Sequence, residues 1–335
     1  MLKRFCLLLL VLSLAFVLIA CGESPVEQED EEVVEEFSYP EETLEFTVPF
    51  GPGGGNDVMA RTIVDILQTY DFYDQPIRIE NREGGSGATG WGFVHSNRGN
   101  PYHITTTSGS YINTPLVSNV GFNYESFTSI ALMGTDDLLL LVNFNSEHDT
   151  LESFIAAAQE AAEAGSPLSI GGIGAVSDEM MVPRLLGEAA GFEFNYVPFQ
   201  ADGEVVGALL SESIDAMVGN ASKSIGHIEG ETMKPLGFSG LERLSLVPDV
   251  PTFTELGYEV SVPQPRGIVM AGDIPEEVKE WWVETMRKVS ETDEWAKYLT
   301  DNGITEYMLF GDDFTEFLER TSNTYEEILK DLGEI

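Results

Sequence analysis

The sequence predicts an α/β protein with two domains, and three observations support this. The chain has 335 residues, which is enough for two ordinary domains. A strand, a glycine-rich turn and a helix follow one another at residues 46–61, and the same arrangement returns at 168–190. Two apolar segments, at 130–144 and 260–270, lie where the chain could cross into a second domain and return. We therefore expect open sheets whose ligands bind at the carboxyl ends of the strands.

The first of these arrangements contains the strongest candidate for a binding loop. Residues 46–50 favour a strand, and glycines at 51 and 53–55 allow a turn that leaves the backbone open to a ligand. The helix that follows has apolar residues on one face, and Asn56 or Asp57 is predicted to cap it. The N-terminus of such a helix attracts anions. At this level the ligand could be a phosphate, a carboxylate or absent.

Two further strands also end in small polar loops. A strand at 75–80 leads into the glycine-rich segment 81–90, and a strand at 102–107 ends at Ser108-Gly-Ser110. Because the carboxyl ends of parallel strands share one edge of a sheet, the three loops are expected to meet. In the second half, Thr150 is predicted to cap a helix at 151–164, and strands end near residues 170, 200 and 220.

The N-terminal segment predicts export and a lipid anchor. Lys3 and Arg4 precede a 15-residue apolar run, which is too short to span a bilayer and is typical of a signal peptide. The run ends in Leu-Ile-Ala-Cys21, which resembles a bacterial lipobox. The only cysteines are Cys6 and Cys21, so we expect no disulfide in the folded part. Residues 22–45 contain eleven acids and no base, which predicts an extended tether.

The charge balance argues against a nucleic-acid partner. The chain has 17 lysines and arginines against 57 aspartates and glutamates, with a net charge of −40. A protein of this charge repels phosphate backbones. The excess of acids is also typical of proteins adapted to high salt, where screening weakens self-repulsion, and we state that habitat as a hypothesis.

The motifs argue against several enzymatic functions. Gly85-Ser-Gly-Ala-Thr-Gly90 matches a dinucleotide fingerprint, but no acid occurs between residues 91 and 124 to hold a ribose. The opening loop lacks the lysine of a P-loop, and no nucleophile elbow is present. The four histidines have no zinc spacing. We therefore predict no cofactor and no metal, and a nucleotide-dependent α/β enzyme using residues 85–90 remains the alternative.

Together the motifs resemble those of the substrate-binding proteins of tripartite tricarboxylate transporters, the Bug type. The resemblance rests on Val-Pro-Phe-Gly-Pro-Gly-Gly-Gly-Asn-Asp at 48–57, on Asn-Arg-Glu-Gly-Gly-Ser-Gly-Ala-Thr-Gly at 81–90, and on the shorter segments 198–200, 214–218 and 246–252. It runs from about Phe46 to the C-terminus.

The resemblance implies a two-lobed periplasmic-binding-protein fold, the Venus-flytrap type II, with a mixed sheet flanked by helices in each lobe. The expected organisation is a signal peptide at 1–20, a tether at 21–43, a first lobe at 44–145 plus 268–335, and a second lobe at 146–267. Such a protein would be an extracytoplasmic lipoprotein, anchored at Cys21 and monomeric. It would deliver a small carboxylate to permease subunits without catalysis. A ligand sensor for a signalling partner would share all these binding features.

The resemblance also implies a set of ligand-binding residues. The ligand carboxylate would be held by backbone N–H groups and small hydroxyls, and no arginine would be required. The set comprises Phe50, Gly53, Gly54, Asn56, Asp57, Gly85, Ser86, Gly87, Ser108 and Ser110 from the first lobe, and Gly174, Ala175, Asp178, Phe199, Gln200 and Asn220 from the second.

Two positions depart from the family pattern. Asp178 stands where many members have a histidine, and Gln200 stands where a lysine is usual. Both changes remove positive charge, so a monocarboxylate or an amine-bearing ligand becomes more plausible than a dicarboxylate. Asp178 would pair with a ligand amine or would only cap the helix that follows it.

Overall fold

Two mixed β-sheets flanked by helices make up the part of the chain that the computed structural model describes, residues 37–174, 177–199 and 201–335. The predicted two-lobed α/β fold is confirmed by this arrangement. The signal peptide, Cys21, most of the tether, Ala175 and Gln200 lie outside the described residues. No helix in the described ranges has the length and apolar character needed to cross a membrane.

The first sheet has the strand order β11-β4-β10-β3-β1-β2. Its strands are β1 (Leu44–Val48), β2 (Ile77–Asn81), β3 (His103–Thr106), β4 (Phe127–Thr135), β10 (Pro265–Ala271) and β11 (Thr305–Phe310). The helices that accompany it along the chain are α1 (Gly55–Thr69), α2 (Ala88–His95), α3 (Gly109–Val117), α8 (Glu276–Ser290), α9 (Asp293–Asn302) and α10 (Asp312–Leu332). β1 pairs in parallel with β2 and β3, so the ends of these three strands lie at one edge.

The second sheet has the strand order β7-β6-β8-β5-β9. Its strands are β5 (Leu138–Asn143), β6 (Ser169–Ile173), β7 (Asn195–Phe199), β8 (Ala216–Asn220) and β9 (Met233–Phe238). Its helices are α4 (Leu151–Glu163), α5 (Asp178–Ala190), α6 (Asp202–Leu210) and α7 (Ala221–Glu229). β6 pairs in parallel with β7 and β8, which repeats the arrangement at the start of the first sheet.

Each sheet receives one antiparallel strand at a crossover. β5 enters the second sheet between β8 and β9, and β10 returns to the first sheet between β3 and β4. The chain therefore passes between the sheets at residues 136–137 and again before residue 265. The predicted boundary at residue 145 assigns β5 to the first lobe, whereas its hydrogen bonds lie in the second sheet, because an apolar run signals burial and not the identity of its partner strands.

The structure confirms some of the predicted helix N-caps and contradicts others. Thr150 caps α4 as predicted, since its hydroxyl accepts a hydrogen bond from the Ser153 N–H. The prediction that Asn56 or Asp57 caps α1 is wrong, because the cap position is Gly54, which has no side chain. Asp178 is not a cap either. It is the first residue of α5, and Ser177 provides the cap.

The hydrophobic core joins the two sheets. One buried cluster contains Trp91 and Tyr111 beside the first sheet together with Ile170 and Leu186 beside the second. Two further clusters belong to one sheet each. Burying a large apolar side chain stabilises a fold by about 1.5–3 kcal/mol, so the shared cluster favours contact between the lobes.

The last residues of the predicted tether already belong to the folded unit, Tyr39–Ile335. The Tyr39 hydroxyl donates to the Pro101 carbonyl and accepts from the Trp282 indole N–H. Its ring stacks on Tyr102 and contacts the edge of Trp281. Trp282 is fully buried and packs within the lobe.

Candidate ligand-binding site

A cavity of about 530 Å³ lies between the residues of the two sheets. This volume is in the range that suits a small ligand. Its wall on the first-sheet side is formed by Phe50, Gly54, Gly55, Asn56, Ser86, Ser108, Gly109, Ser110, Asn113, Thr114 and Val117. Ile173, Gly174, Ser177, Asp178 and Glu179 face them from the second sheet, and Gln264 and Arg266 come from the return crossover.

Three helices begin at this cavity. The first residues of α1, α3 and α5 all belong to its lining, and each of these helices has at least nine residues. The opening N–H groups of a helix have no intrahelical partner, and the N-terminal end of its dipole is positive. Gly54 and Ser108 precede α1 and α3 without a side-chain cap. The first-sheet wall is therefore suited to an anion.

Asp57 organises the opening loop and does not line the cavity. Its carboxylate accepts hydrogen bonds from the Gly53 N–H at 2.8 Å, from Asn81 Nδ2 at 2.9 Å, and from both Nε and Nη2 of Arg61. The Arg61 guanidinium is the main reason that the pKa of Asp57 falls from 3.8 to about 2. Asn81 also donates to the Phe50 carbonyl, so this network fixes both ends of the glycine turn.

Replacing Asp57 by asparagine should destabilise the protein by about 1–3 kcal/mol, because several donors around a buried carboxylate lose their charged acceptor. The pKa of Asp57 is lower in the folded state. Its contribution is therefore fully present above pH 4 and is lost as the pH falls towards 2.

Urea denaturation at pH 7 and near pH 3 measures both effects, and the gap between wild type and Asp57→Asn should narrow at the lower pH. Asp65→Asn is the control, since Asp65 is exposed on the same helix. An equal gap at both pH values would contradict this role for Asp57.

The second glycine loop presents one hydroxyl to the cavity. Ser86 has φ 52°, and its carbonyl accepts a hydrogen bond from Thr114 Oγ1, which ties the loop to α3. The neighbouring glycines serve packing. A Cβ on Gly87 would lie 2.4 Å from the Trp91 ring, and a Cβ on Gly90 would lie 2.6 Å from the Pro49 Cα. Close packing therefore accounts for the pattern that matched a dinucleotide fingerprint.

Asp178 joins the two walls of the cavity. It starts α5 on the second-sheet side, and its Oδ1 accepts a hydrogen bond from Asn113 Nδ2 of α3 at 3.0 Å. A Cβ on Gly109 would lie only 1.7 Å from Asp178 Oδ2, so the carboxylate reaches the backbone of the first turn of α3. Burial raises the pKa of Asp178.

Glu179 follows Asp178 on the same wall. Burial, and next the charge of Asp178, raise the pKa of Glu179 to about 7. Its backbone packs closely on β6, since a Cβ on Gly172 would lie 2.8 Å from the Glu179 Cβ. The second-sheet wall therefore brings two neighbouring carboxyl groups to the cavity.

Arg266 forms a buried ion pair with Asp136 at the point where the crossovers meet. The side chains of the pair are 11% and 8% exposed, respectively. Arg266 Nε donates to no group among the described residues, and the guanidinium lies 3.2 Å from the position of a Cβ on Gly55. The guanidinium thus lies beside the start of α1, where the atom nearest Gly55 is Nη2, which pairs with Asp136, while Nε is buried and has no partner in the part of the chain that the structure describes.

The predicted site residues divide into three groups. Phe50, Gly54, Asn56, Ser86, Ser108, Ser110, Gly174 and Asp178 lie in the cavity lining. Gly53, Asp57, Gly85, Gly87, Phe199 and Asn220 do not line it, although Asp57 and Gly53 shape the loop, and Asn220 donates to Gln264 at 3.4 Å. Ala175 and Gln200 lie outside the described residues.

Sequence reasoning did not identify Arg266, Glu179, Asn113 and Gly109 as lining residues. Gly109 lies between two predicted serines, and Asn113 is one helical turn further on. Arg266 is the sole base between residues 244 and 278, which could have marked it. The sequence analysis expects that no arginine is required, and the fold nevertheless places one in the lining, because it brings residue 266 back beside residue 55.

Comparisons with known proteins agree on one family. BugT of Bordetella pertussis is 28% identical over 239 residues, which cover 70% of this chain and 72% of that protein. A ligand-free TctC solute-binding protein from Polaromonas superposes with a TM-score of 0.80 at 22% identity, over 88% of this chain and all of that one. MatC of Rhodopseudomonas palustris with bound malate gives a TM-score of 0.65 at 21% identity, over 87% and 100%.

The family model described as the tripartite tricarboxylate transporter family receptor matches residues 60–334. This range contains most of the first lobe, all of the second lobe and the cavity lining apart from Phe50, Gly54, Gly55 and Asn56. The chain therefore belongs to the receptor family of tripartite tricarboxylate transporters.

Proposed function

We propose that this protein captures a small carboxylate in the cavity between its lobes and delivers it to the permease of a tripartite transporter, without catalysis. The observation that carries the proposal is the convergence of the uncapped starts of α1 and α3 on one cavity. N–H groups at helix termini bind carboxylates well because they supply both hydrogen bonds and a favourable dipole.

The first-sheet wall supplies the remaining groups that a carboxylate needs. Ser86, Ser108 and Ser110 contribute hydroxyls, and the Oγ of Ser108 is buried without a hydrogen-bond partner among the described residues. Arg266 Nε is a charged donor on the same wall. Charge-assisted hydrogen bonds of this kind are about twice as strong as neutral ones. A carboxylate would satisfy these donors together.

Kinship supports the same class of ligand. The relative from Rhodopseudomonas palustris was solved with malate, which is a small carboxylate. We extend the proposal to location and partners. The apolar N-terminal run and Cys21 suit an exported lipoprotein that works as a monomer next to permease subunits. A sensor for a signalling partner would bind the same ligand, and a pull-down with the permease subunits distinguishes the two roles.

Thermal shift in high salt against mono-, di- and tricarboxylates and amino acids tests the proposal. A ligand at 100 times its Kd should stabilise the folded state by about 2.7 kcal/mol and raise the Tm by several degrees. Ser86→Gly should weaken the response, because it removes the hydroxyl while tolerating the positive φ. Gly207→Ala, on α6 away from the cavity, is the control. If no carboxylate raised the Tm, the proposal would be abandoned.

A further inference from the structure

The charge of the second-sheet wall limits the ligands that the cavity accepts. Within the described ranges, Arg266 is the sole cationic residue that lines the cavity, and Asp136 already pairs with that charge inside the protein. Asp178 and Glu179 line the opposite wall with no basic residue among the lining groups on their side. Opposite charges attract strongly where water is scarce, and like charges repel. A second carboxylate on the ligand would face this repulsion, whereas a cation would relieve it.

An unpartnered acceptor lies beside that wall, on α3 of the opposite wall, and a second one, Asn56 Oδ1, lies at the start of α1. Asn113 is 7% exposed, and its Nδ2 donates to the carboxylate of Asp178. Since a carboxylate only accepts, this bond fixes the orientation of the amide and leaves Asn113 Oδ1 without a donor among the described residues. An unsatisfied buried acceptor is costly, so a ligand that supplies a donor gains affinity.

The two observations describe one chemical requirement. Glu179, Asp178 and Asn113 Oδ1 offer acceptors and negative charge where α5 contacts α3, while the start of α1 and the Arg266 guanidinium offer donors. A protonated amine has three N–H donors, a positive charge and no acceptor. It matches these acceptors as a carboxylate matches the donors.

We propose that the ligand is a zwitterion, whose ammonium group is held between Glu179 of the second-sheet wall and Asn113 of α3, beside Asp178. This inference rests on the proposed function, because it assumes that the carboxylate of the same ligand lies against the starts of α1 and α3. Glu179 is the specificity-determining residue, since its carboxylate contacts Ser177 on its own wall and, of the residues that the structure describes, none on the opposite wall.

Calorimetric titration with matched pairs of compounds tests the inference. Each pair has the same carbon chain with and without an amine, as in alanine and propionate, 4-aminobutyrate and butyrate, or glutamate and glutarate. For the pair that binds, the amine-bearing member should bind at least about tenfold more tightly, as a charge-assisted hydrogen bond implies. In Glu179→Gln this preference should fall by about tenfold or more, with the affinity for the amine-free member unchanged or increased.

Glu188→Gln is the matched control. It removes the same charge from the same helix, but Glu188 pairs with Arg184 and does not line the cavity. The preference of Glu188→Gln for the amine-bearing compound should equal that of the wild type. Equal or tighter binding of the amine-free member by the wild-type protein would overturn the zwitterion inference and leave the proposed function standing. Failure of every pair and every carboxylate to bind would overturn both.

Discussion

Replacing Arg266 by methionine should lower the free energy of unfolding by about 3–5 kcal/mol, because it leaves Asp136 charged and buried without its partner. Both side chains are nearly inaccessible to water. Removing one ion of such a pair leaves the other ion buried and unpaired. The resulting loss of stability is several times larger than the contribution of an exposed ion pair. Urea denaturation at neutral pH measures the loss.

The double variant Asp136→Leu, Arg266→Met separates the ion pair from the binding role. Replacing both members of a buried pair by apolar residues of similar volume is often nearly neutral, so most of the stability should return. Carboxylate affinity should stay low, by about tenfold or more, because the free Arg266 Nε donor is still missing. A double variant that is stable and binds as tightly as the wild type would show that Arg266 serves the fold alone.

Arg98→Met provides the surface comparison for this experiment. Arg98 pairs with Asp273, and the two side chains are 42% and 65% exposed. Exposed pairs of this kind contribute little. A loss of stability in Arg98→Met as large as that in Arg266→Met would mean that burial does not explain the effect.

Replacing Gly109 by alanine should reduce ligand affinity by about ten- to a hundredfold while leaving the secondary structure intact. The new methyl carbon would lie 1.7 Å from Asp178 Oδ2 and 2.6 Å from its Cγ, so Asp178 must move away. The bond from Asn113 to Asp178 joins the two walls, and a charged hydrogen bond is worth about 1.5–3 kcal/mol. Its loss should favour separation of the lobes.

Small-angle scattering and calorimetry on Gly109→Ala measure the shape and the affinity. The variant should have a larger radius of gyration with saturating ligand than the wild type. Asp178→Ala alone removes the same hydrogen bond without a collision, so it should enlarge the radius as well. Gly207→Ala is again the control, because a Cβ there meets no heavy atom within 4 Å. Unchanged shape and affinity in Gly109→Ala would show that this contact does not hold the lobes together.

Much of the fold could be predicted because it depends on short-range sequence. The strand, glycine turn and helix around residue 54 need only extended residues, glycines and an apolar face at a 3.6 period. The repetition of that arrangement after β6 identified the second sheet in the same way. The serines at 86, 108 and 110 follow strands, and parallel strands bring their ends together.

The strand exchange could not be predicted from the same information. The apolar run at 138–142 indicates a buried strand, but β5 belongs to the second sheet because its backbone pairs with β8 and β9. Both of these partners lie more than 70 residues further on. The pairing partners of a strand depend on residues that are distant in sequence, so no local pattern predicts them.

Tertiary contacts also determine which polar side chains line the cavity and which support its loops. Asp57 had the residue type of a ligand contact, yet Gly53, Arg61 and Asn81 surround it and make it a support for the loop. Arg266 reaches the cavity because β10 inserts beside β3, more than 150 residues away in sequence.

The sequence by itself determined that this chain is an α/β receptor-like protein with glycine loops and helix N-termini suited to an anion, since those features depend on neighbouring residues. The tertiary structure decided that an ion-paired arginine joins that wall, and that Asp178 and Glu179 form an acidic wall opposite it. Charges act on each other across space, so their balance in a cavity exists only once the two lobes face each other.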